Sequence, residues 1–407
     1  MSRRRQLLLN LGLAAGSGLV CLLGLEAFAR VALSAGGGKE RDEASQYMEH
    51  DPHRGWRHRP GARATYRRRE YTTEIAINAR GLRGADRDYA GSPGTLRVLA
   101  LGDSFVEGYT VPEDQTVTQA LEATLRAGGC PAEVLNAGHA AYSTDQEYLF
   151  YRDEGVKYSP QVVLVFFYYN DILSNTIANY FGSPKPLLEA QGGTMRLTNE
   201  PVPRPAPPDP RLAGARARPR TLKGSVALEW LRDRLARGAP RAYNALAALR
   251  LWEPLGGDTV EKGEQLRVYK RRRQPEIEAA WTLTAEILQA LAREARGHGS
   301  HFAVVYVPSR MEVSDRDWEL TKLSYGLDEI VWERGLVARR VQDIGREGGF
   351  PVLDLTPALR QATGRLSGEP YLLYDGHWNA RGHRAAAFAV ASFLRSERWV
   401  AACAPAP

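Results

Sequence analysis

Short apolar bursts punctuate the chain at Arg97 to Leu101, Glu133 to Asn136, Gln161 to Tyr168, His301 to Val307 and Phe350 to Leu353. Each is too short for a helix and has the length of a buried strand. Between and after them lie stretches with helical spacing of apolar positions, near Thr116 to Arg126, Gln274 to Arg296 and Ile330 to Arg346, and an alanine-rich run from Arg384 to Arg395. Apolar strands alternating with amphipathic helices predict an α/β fold, a parallel sheet covered by helices on both faces. In such sheets ligands sit at the carboxyl ends of the strands, so the residues just after each burst are the first place to look for chemistry.

Other stretches break this rhythm. Residues 47–95 read as a small β-rich preface, with turn signals at Gly55-Trp56-Arg57 and Pro60-Gly61 and strand-like alternation from Tyr71 to Asn78. The main body then runs over residues 96–398, interrupted by an insertion at about 172–273. Seven prolines and five arginines fall between Pro201 and Arg220, a composition suited to extended chain, and Ser225 to Arg237 returns to helical spacing. An insertion that leaves beside a strand end is placed to serve as a lid or partner surface.

At the amino end Arg3, Arg4 and Arg5 precede Leu7 to Leu25, which holds no charged residue. A helix of that length spans roughly 28 Å, the thickness of a bilayer core. Residues 1–30 are therefore expected to be a membrane anchor or an export signal, and 31–46 a spacer. The basic flank predicts a cytoplasmic amino end and a single-pass protein with its body outside the cytoplasm, or a secreted body if the stretch is cleaved, for example after Ala27-Phe28-Ala29.

Composition narrows the field. With 43% hydrophobic and 25% charged residues the body is an ordinary water-soluble fold, and disorder is excluded. The net charge of +7 is too small, and the clusters Arg67-Arg68-Arg69 and Lys270-Arg271-Arg272-Arg273 too short and scattered, for a nucleic-acid footprint. Cys21, Cys130 and Cys403 form no C-x-x-C pair, which leaves at most one disulfide, Cys130 to Cys403, and no thiolate metal site. His377, His383 and Asp375 lack reinforcing ligand spacing, so neither a metal nor a cofactor is expected.

The reactive groups lie where the strand ends put them. Gly102-Asp103-Ser104 joins a strand to a helix, where Ser104 is placed as a nucleophile beside exposed backbone N–H groups, or where Asp103 or Ser104 simply caps the helix. Gly138 allows backbone to approach a ligand closely, and Asn170 offers a side-chain amide. Near the carboxyl end, Asp375-Gly376-His377 sets an acid two residues from an imidazole, half of a hydrolase triad. Trp56, Tyr142, Tyr168, Tyr169 and Trp378 are able to stack on sugar rings, although wall packing is the ordinary role of such residues.

Together Gly102-Asp-Ser-Phe-Val-Glu-Gly-Tyr109, Asn136-Ala-Gly138, Tyr169-Asn-Asp171 and Asp375-Gly-His-Trp-Asn379 resemble, in order, the four blocks of the SGNH or GDSL hydrolases. The resemblance implies a three-layer α/β/α fold with a flavodoxin-like sheet, Ser104 as nucleophile, His377 as base, Asp375 as the acid that orients it, and an oxyanion hole from Ser104, Gly138 and Asn170. Asp354 is the alternative acid. The family more often has two residues between acid and histidine. The single Gly376 here makes the block similar to that of exported polysaccharide O-acetyltransferases of the alginate-modifying type. The preface around Gly55-Trp56-Arg57 and Asn78 to Arg83 is similar to that of membrane-anchored bacterial members. The expected activity is hydrolysis of O-acyl, above all O-acetyl, esters of envelope or extracellular glycans or of small esters, with O-acetyl transfer as the alternative and a non-catalytic glycan-binding protein as the reading from another class.

Overall fold

The computed structural model describes residues 44–68, 70–180, 182–205, 225–248, 264–364 and 369–400, with scattered positions before residue 30. The chain divides into two compact units, one of residues 40–206 and 256–407 and the other of residues 1–39 and 207–255.

In the first unit five parallel strands form the sheet: β1 (Leu96–Gly102), β2 (Ala132–Gly138), β3 (Val162–Phe167), β4 (His301–Tyr306) and β5 (Val352–Asp354), in the order β2-β1-β3-β4-β5. This is the flavodoxin-like order, with β1 and β3 at the reversal point. Strand alternation sends Leu99, Leu101, Val163, Val165 and Val304 to one face, where they pack with α3 (Thr144–Asp153), α4 (Pro275–Gly297) and α5 (Leu336–Gly348). Val98, Ala100, Leu164 and Val305 face the other way, onto α2 (Val117–Ala127) and α6 (Ala380–Ser396). β3, Val-Val-Leu-Val-Phe-Phe, is buried throughout, because a central parallel strand has no solvent face.

The register aligns the strand ends. Gly102 pairs with Gly138 on one side and Phe166 on the other, Phe167 with Tyr306, and Tyr306 with Asp354. Residues following these positions therefore share one edge of the sheet. The preface consists of antiparallel pairs, Met48–Asp51 with Gly55–His58 and Arg63–Arg67 with Thr72–Ala76.

One expectation needs correction. The helix expected from Ile330 begins only at Leu336, because the Asp328 carboxylate accepts the Ile330 N–H and Trp332 pairs with Lys270, which holds residues 328–332 as a turn. Of the stretch at about 172–273, residues 207–255 fall in the second unit and the rest in the first. Residues 172–205 belong with the sheet, anchored by buried Lys185, whose ammonium meets Asp145 Oδ2 of α3 at 2.7 Å and the Ser174 carbonyl at 2.6 Å.

In the second unit, helices Val226–Gly238 and Pro240–Ala248 are described, with Ser225 capping the first and donating to Glu26 Oε2 at 2.6 Å. Residues 206–220 of the Pro/Arg-rich stretch and most of the apolar stretch Leu7 to Leu25 fall outside the described residues, among which no helix is long and apolar enough to cross a membrane. Cys130 is disulfide-bonded; Cys403, the partner expected from the sequence, lies outside the described residues.

Candidate active site

β1 ends at Gly102, and the chain turns at once into α1 (Ser104–Glu107). The Asp103 carboxylate caps this helix, accepting the Phe105 N–H at 2.8 Å. The capping role therefore belongs to Asp103, and the Ser104 hydroxyl points elsewhere, 2.7 Å from His377 Nε2. Burial pushes the Asp103 carboxyl up to about 6, against the Phe105 N–H and the His377 charge, which favour its ionised form.

His377 Nδ1 lies 2.6 Å from Asp375 Oδ1. One intervening residue suffices because Gly376 has φ +83°, a left-handed conformation that turns both neighbouring side chains to the same side. An imidazole held in this way presents Nε2 to the serine and Nδ1–H to the carboxylate. The imidazole is 24% and the carboxylate 18% exposed, so the relay lies below the surface yet open to a small substrate. Asp375 balances opposing effects: burial raises its carboxyl, but the charge and hydrogen bond of His377 and the Tyr71 hydroxyl bring it below the usual range. The alternative acid, Asp354, instead accepts the Thr356 N–H at 2.8 Å.

The structure sets Gly138 and Asn170 on the same sheet edge as Ser104. The Gly138 N–H is directed at Asn136 Oδ1, at 3.1 Å. A Cβ on Gly138 would come within 2.1 Å of the Glu107 nitrogen, so glycine here is required by the close approach of β2 to α1. Asn170 Nδ2 donates to the Tyr180 hydroxyl at 3.1 Å, which leaves the second amide hydrogen for another acceptor. The trio shares this edge through strand register, with two of its donors also engaged within the protein.

His383 is committed elsewhere. Fully buried, its Nδ1 accepts the Val117 N–H at the start of α2, and burial, with the charges of Arg83 and His377, takes its pKa down to about 3. Of the aromatic candidates, Trp56, Tyr142, Tyr169 and Trp378 are buried in packing roles, and Tyr168 is half-buried against Phe105, which also touches the His377 ring.

Sequence reasoning missed several residues at the site. Tyr71 OH donates to Asp375 Oδ2 at 2.9 Å, and Glu70 accepts the backbone N–H groups of Leu373, Tyr374 and Asp375 at 2.7, 2.8 and 2.9 Å. Tyr109 OH lies 3.1 Å from His377 Nδ1. Beneath α1, fully buried Glu107 meets Tyr47 OH at 2.8 Å, His58 Nε2 at 3.2 Å and the Ala140 N–H at 2.5 Å. Burial raises the Glu107 carboxyl, but its bonds to His58 and Tyr47 and the His58 charge outweigh this and hold it below the usual range. Tyr109 and Glu107 stand in the block that contains Ser104, a signal that was present, whereas nothing in the preface pattern marked Glu70 or Tyr71.

Residues 264–406, which carry Asp375 and His377, match the family model described as SGNH hydrolase-like domain, acetyltransferase AlgX. That part of the chain is similar to the SGNH hydrolase-like domain the model describes. The sheet behind this site is five-stranded and parallel, with helices packed on both faces. Among solved structures, a lipase/acylhydrolase from Enterococcus faecalis is 12% identical, covering 74% of this chain and 96% of its own, with a TM-score of 0.37. A catalytic mutant of an acetylxylan esterase from Geobacillus stearothermophilus is 13% identical, covering 76% and 95%, with a TM-score of 0.34. No curated protein matches the chain in sequence.

Proposed function

We propose that this SGNH hydrolase-like chain is a serine-dependent enzyme of O-acyl esters, with Ser104 as nucleophile. The observation that carries the reading is the continuous relay from Ser104 Oγ to His377 Nε2 and from His377 Nδ1 to Asp375. In the first half-reaction Oγ attacks the ester carbonyl carbon while its proton passes to Nε2. The developing oxyanion draws on N–H donors at the sheet edge, the Ser104 and Gly138 N–H groups and the Asn170 amide. Collapse breaks the bond to the alcohol oxygen, which leaves with the proton from Nε2. The second half runs the same steps from water, regenerating Ser104 and releasing the acid.

The acyl group we infer is acetyl, and the substrate an O-acetylated envelope or extracellular glycan. The Arg-flanked apolar stretch at Leu7 to Leu25 supports an anchored, extracytoplasmic body. A second reading, transfer of the acetyl group to a glycan hydroxyl in place of water, is favoured by the family model, whose description names an acetyltransferase.

The test is to supply p-nitrophenyl acetate to the chain and to Ser104→Ala, with and without an acetyl-free glycan. Serine-dependent release of nitrophenol with acetate as the only product supports hydrolysis, and acetylated glycan supports transfer. Turnover that survives in Ser104→Ala removes the nucleophile assignment.

A further inference from the structure

The hairpin of the preface reaches the catalytic loop from the far end of the sequence. Its strands, Arg63–Arg67 and Thr72–Ala76, are joined by a connection whose last residues, Glu70 and Tyr71, touch the loop that carries the acid and the base. Glu70 closes both carboxylate oxygens over three successive N–H groups, those of Leu373, Tyr374 and Asp375. Three converging amides form a concave anion site. On the other side of the loop, Arg310 donates to the Leu372 and Leu373 carbonyls at 3.0 and 2.6 Å, so both polar edges of the backbone are clamped. Tyr71 then donates to Oδ2, the Asp375 oxygen that His377 does not use. Burial and the Asp375 charge hold the Tyr71 hydroxyl protonated far above its ordinary range, so it remains a donor at any working pH.

We propose that Glu70 and Tyr71 are positioning residues for the acid of the relay, so that the preface hairpin is a working part of the active site. The inference rests on the reading of Ser104, His377 and Asp375 as that relay. A carboxylate with two oxygens and one imidazole to serve is free to rotate unless its second oxygen is engaged. The Tyr71 hydroxyl stops that rotation, and Glu70 sets the height of the backbone from which Asp375 projects. The rings of Tyr66, Tyr71 and Tyr109 pack together, with Tyr66 and Tyr109 stacked 5.0 Å apart, which ties the hairpin to the residue that also touches His377.

Among the described residues, the charged and titratable groups acting on the pair include Tyr71 and Glu70 from the hairpin, with Arg68 acting on Tyr71, Tyr109 from the turn after α1, Asp103 from the turn before it, and His383 of α6. Removing the Tyr71 hydroxyl leaves the Asp375 carboxylate more basic, so it holds the imidazolium more strongly and His377 titrates at higher pH. Glu70→Gln removes a nearby negative charge and loosens the loop, so His377 titrates lower.

The experiment uses the full chain with carbon-13 label on its histidine rings, the His377 signal being assigned by its loss in His377→Gln. In Tyr71→Phe the His377 titration is expected to move up in pH and kcat on p-nitrophenyl acetate to fall about 10- to 100-fold, with KM little changed. In Glu70→Gln the titration moves down. A merely structural role predicts lower thermal stability with the titration and the acid limb of kcat unmoved, and that result overturns the inference even where turnover remains serine-dependent. Shifted titrations in a chain that turns over no ester would keep the positioning roles and remove the proposed function.

Discussion

At the scale of single residues, Gly376 carries a conformational demand out of proportion to its size. Its φ of +83° lets Asp375 and His377 meet with one residue between them, and no atom lies within 4 Å of where a Cβ would stand. Gly376→Ala therefore meets no steric wall but a backbone cost of about 1–2 kcal/mol. The loop is expected to relax away from the left-handed region and separate acid from base, so that kcat falls while the melting temperature drops only slightly. Asp375→Asn is expected to lower kcat by about 10⁴-fold, because an amide cannot stabilise the imidazolium, while Ser104 still reacts slowly with an acylating probe. An unchanged kcat in Asp375→Asn would remove the acid role. Ser104 was legible in the sequence because it follows an apolar burst and opens a helix, and Asp375 and His377 because an acid stands two residues from an imidazole. Glu70 and Tyr71 were not, because a hairpin connection has no periodicity and their partners lie some three hundred positions away.

At the scale of elements, α1 is a single turn that cannot hold itself in place by its own hydrogen bonds. Its anchors come from other segments. Arg83 donates to the Glu107 and Val111 carbonyls at its end, while Tyr47, His58 and the Ala140 N–H converge on the Glu107 carboxylate. Glu107→Gln is expected to cost about 3–5 kcal/mol in denaturant unfolding, since it leaves buried donors poorly matched. The pH dependence has a definite sign. A carboxyl held below its unfolded value contributes stability that is present above the ordinary carboxylate range and is lost as pH falls through its folded value. The unaltered chain should thus lose stability on acidification more steeply than Glu107→Gln. The elements themselves were read well wherever apolar spacing was strong, as in β3 and α4. The expected helix from Ile330 failed because an aspartate side chain competed for the backbone donors, a local bond that apolar spacing does not report.

Across the first unit as a whole, buried carboxyls set the response to alkali. Glu147 is fully buried, and neither of its carboxylate oxygens has a partner among the described residues. Burial, with the charges of Asp171, Asp103 and Asp145, pushes it well up, and Asp171 is raised in the same way, first by burial and then by Asp103 and Asp145. An acid raised in the folded state binds a proton that the unfolded chain has released, so stability falls as pH climbs from the ordinary carboxylate range toward the folded value. Glu147→Gln is expected to gain on the unaltered chain steadily in thermal melts as pH rises above the ordinary carboxylate range. A constant difference across that range would show that Glu147 ionises normally.

The contacts between Ser104 and His377 and between Tyr71 and Asp375 join the opening and closing parts of this unit, separated by 273 and 304 positions. A ribosome delivers the hairpin and the proposed nucleophile long before the proposed base. For most of its synthesis the growing chain holds Ser104 without His377 beside it. Activity then arrives in one step, when the last segment docks, and a chain truncated before Asp375 should be chemically silent however well its first strands fold.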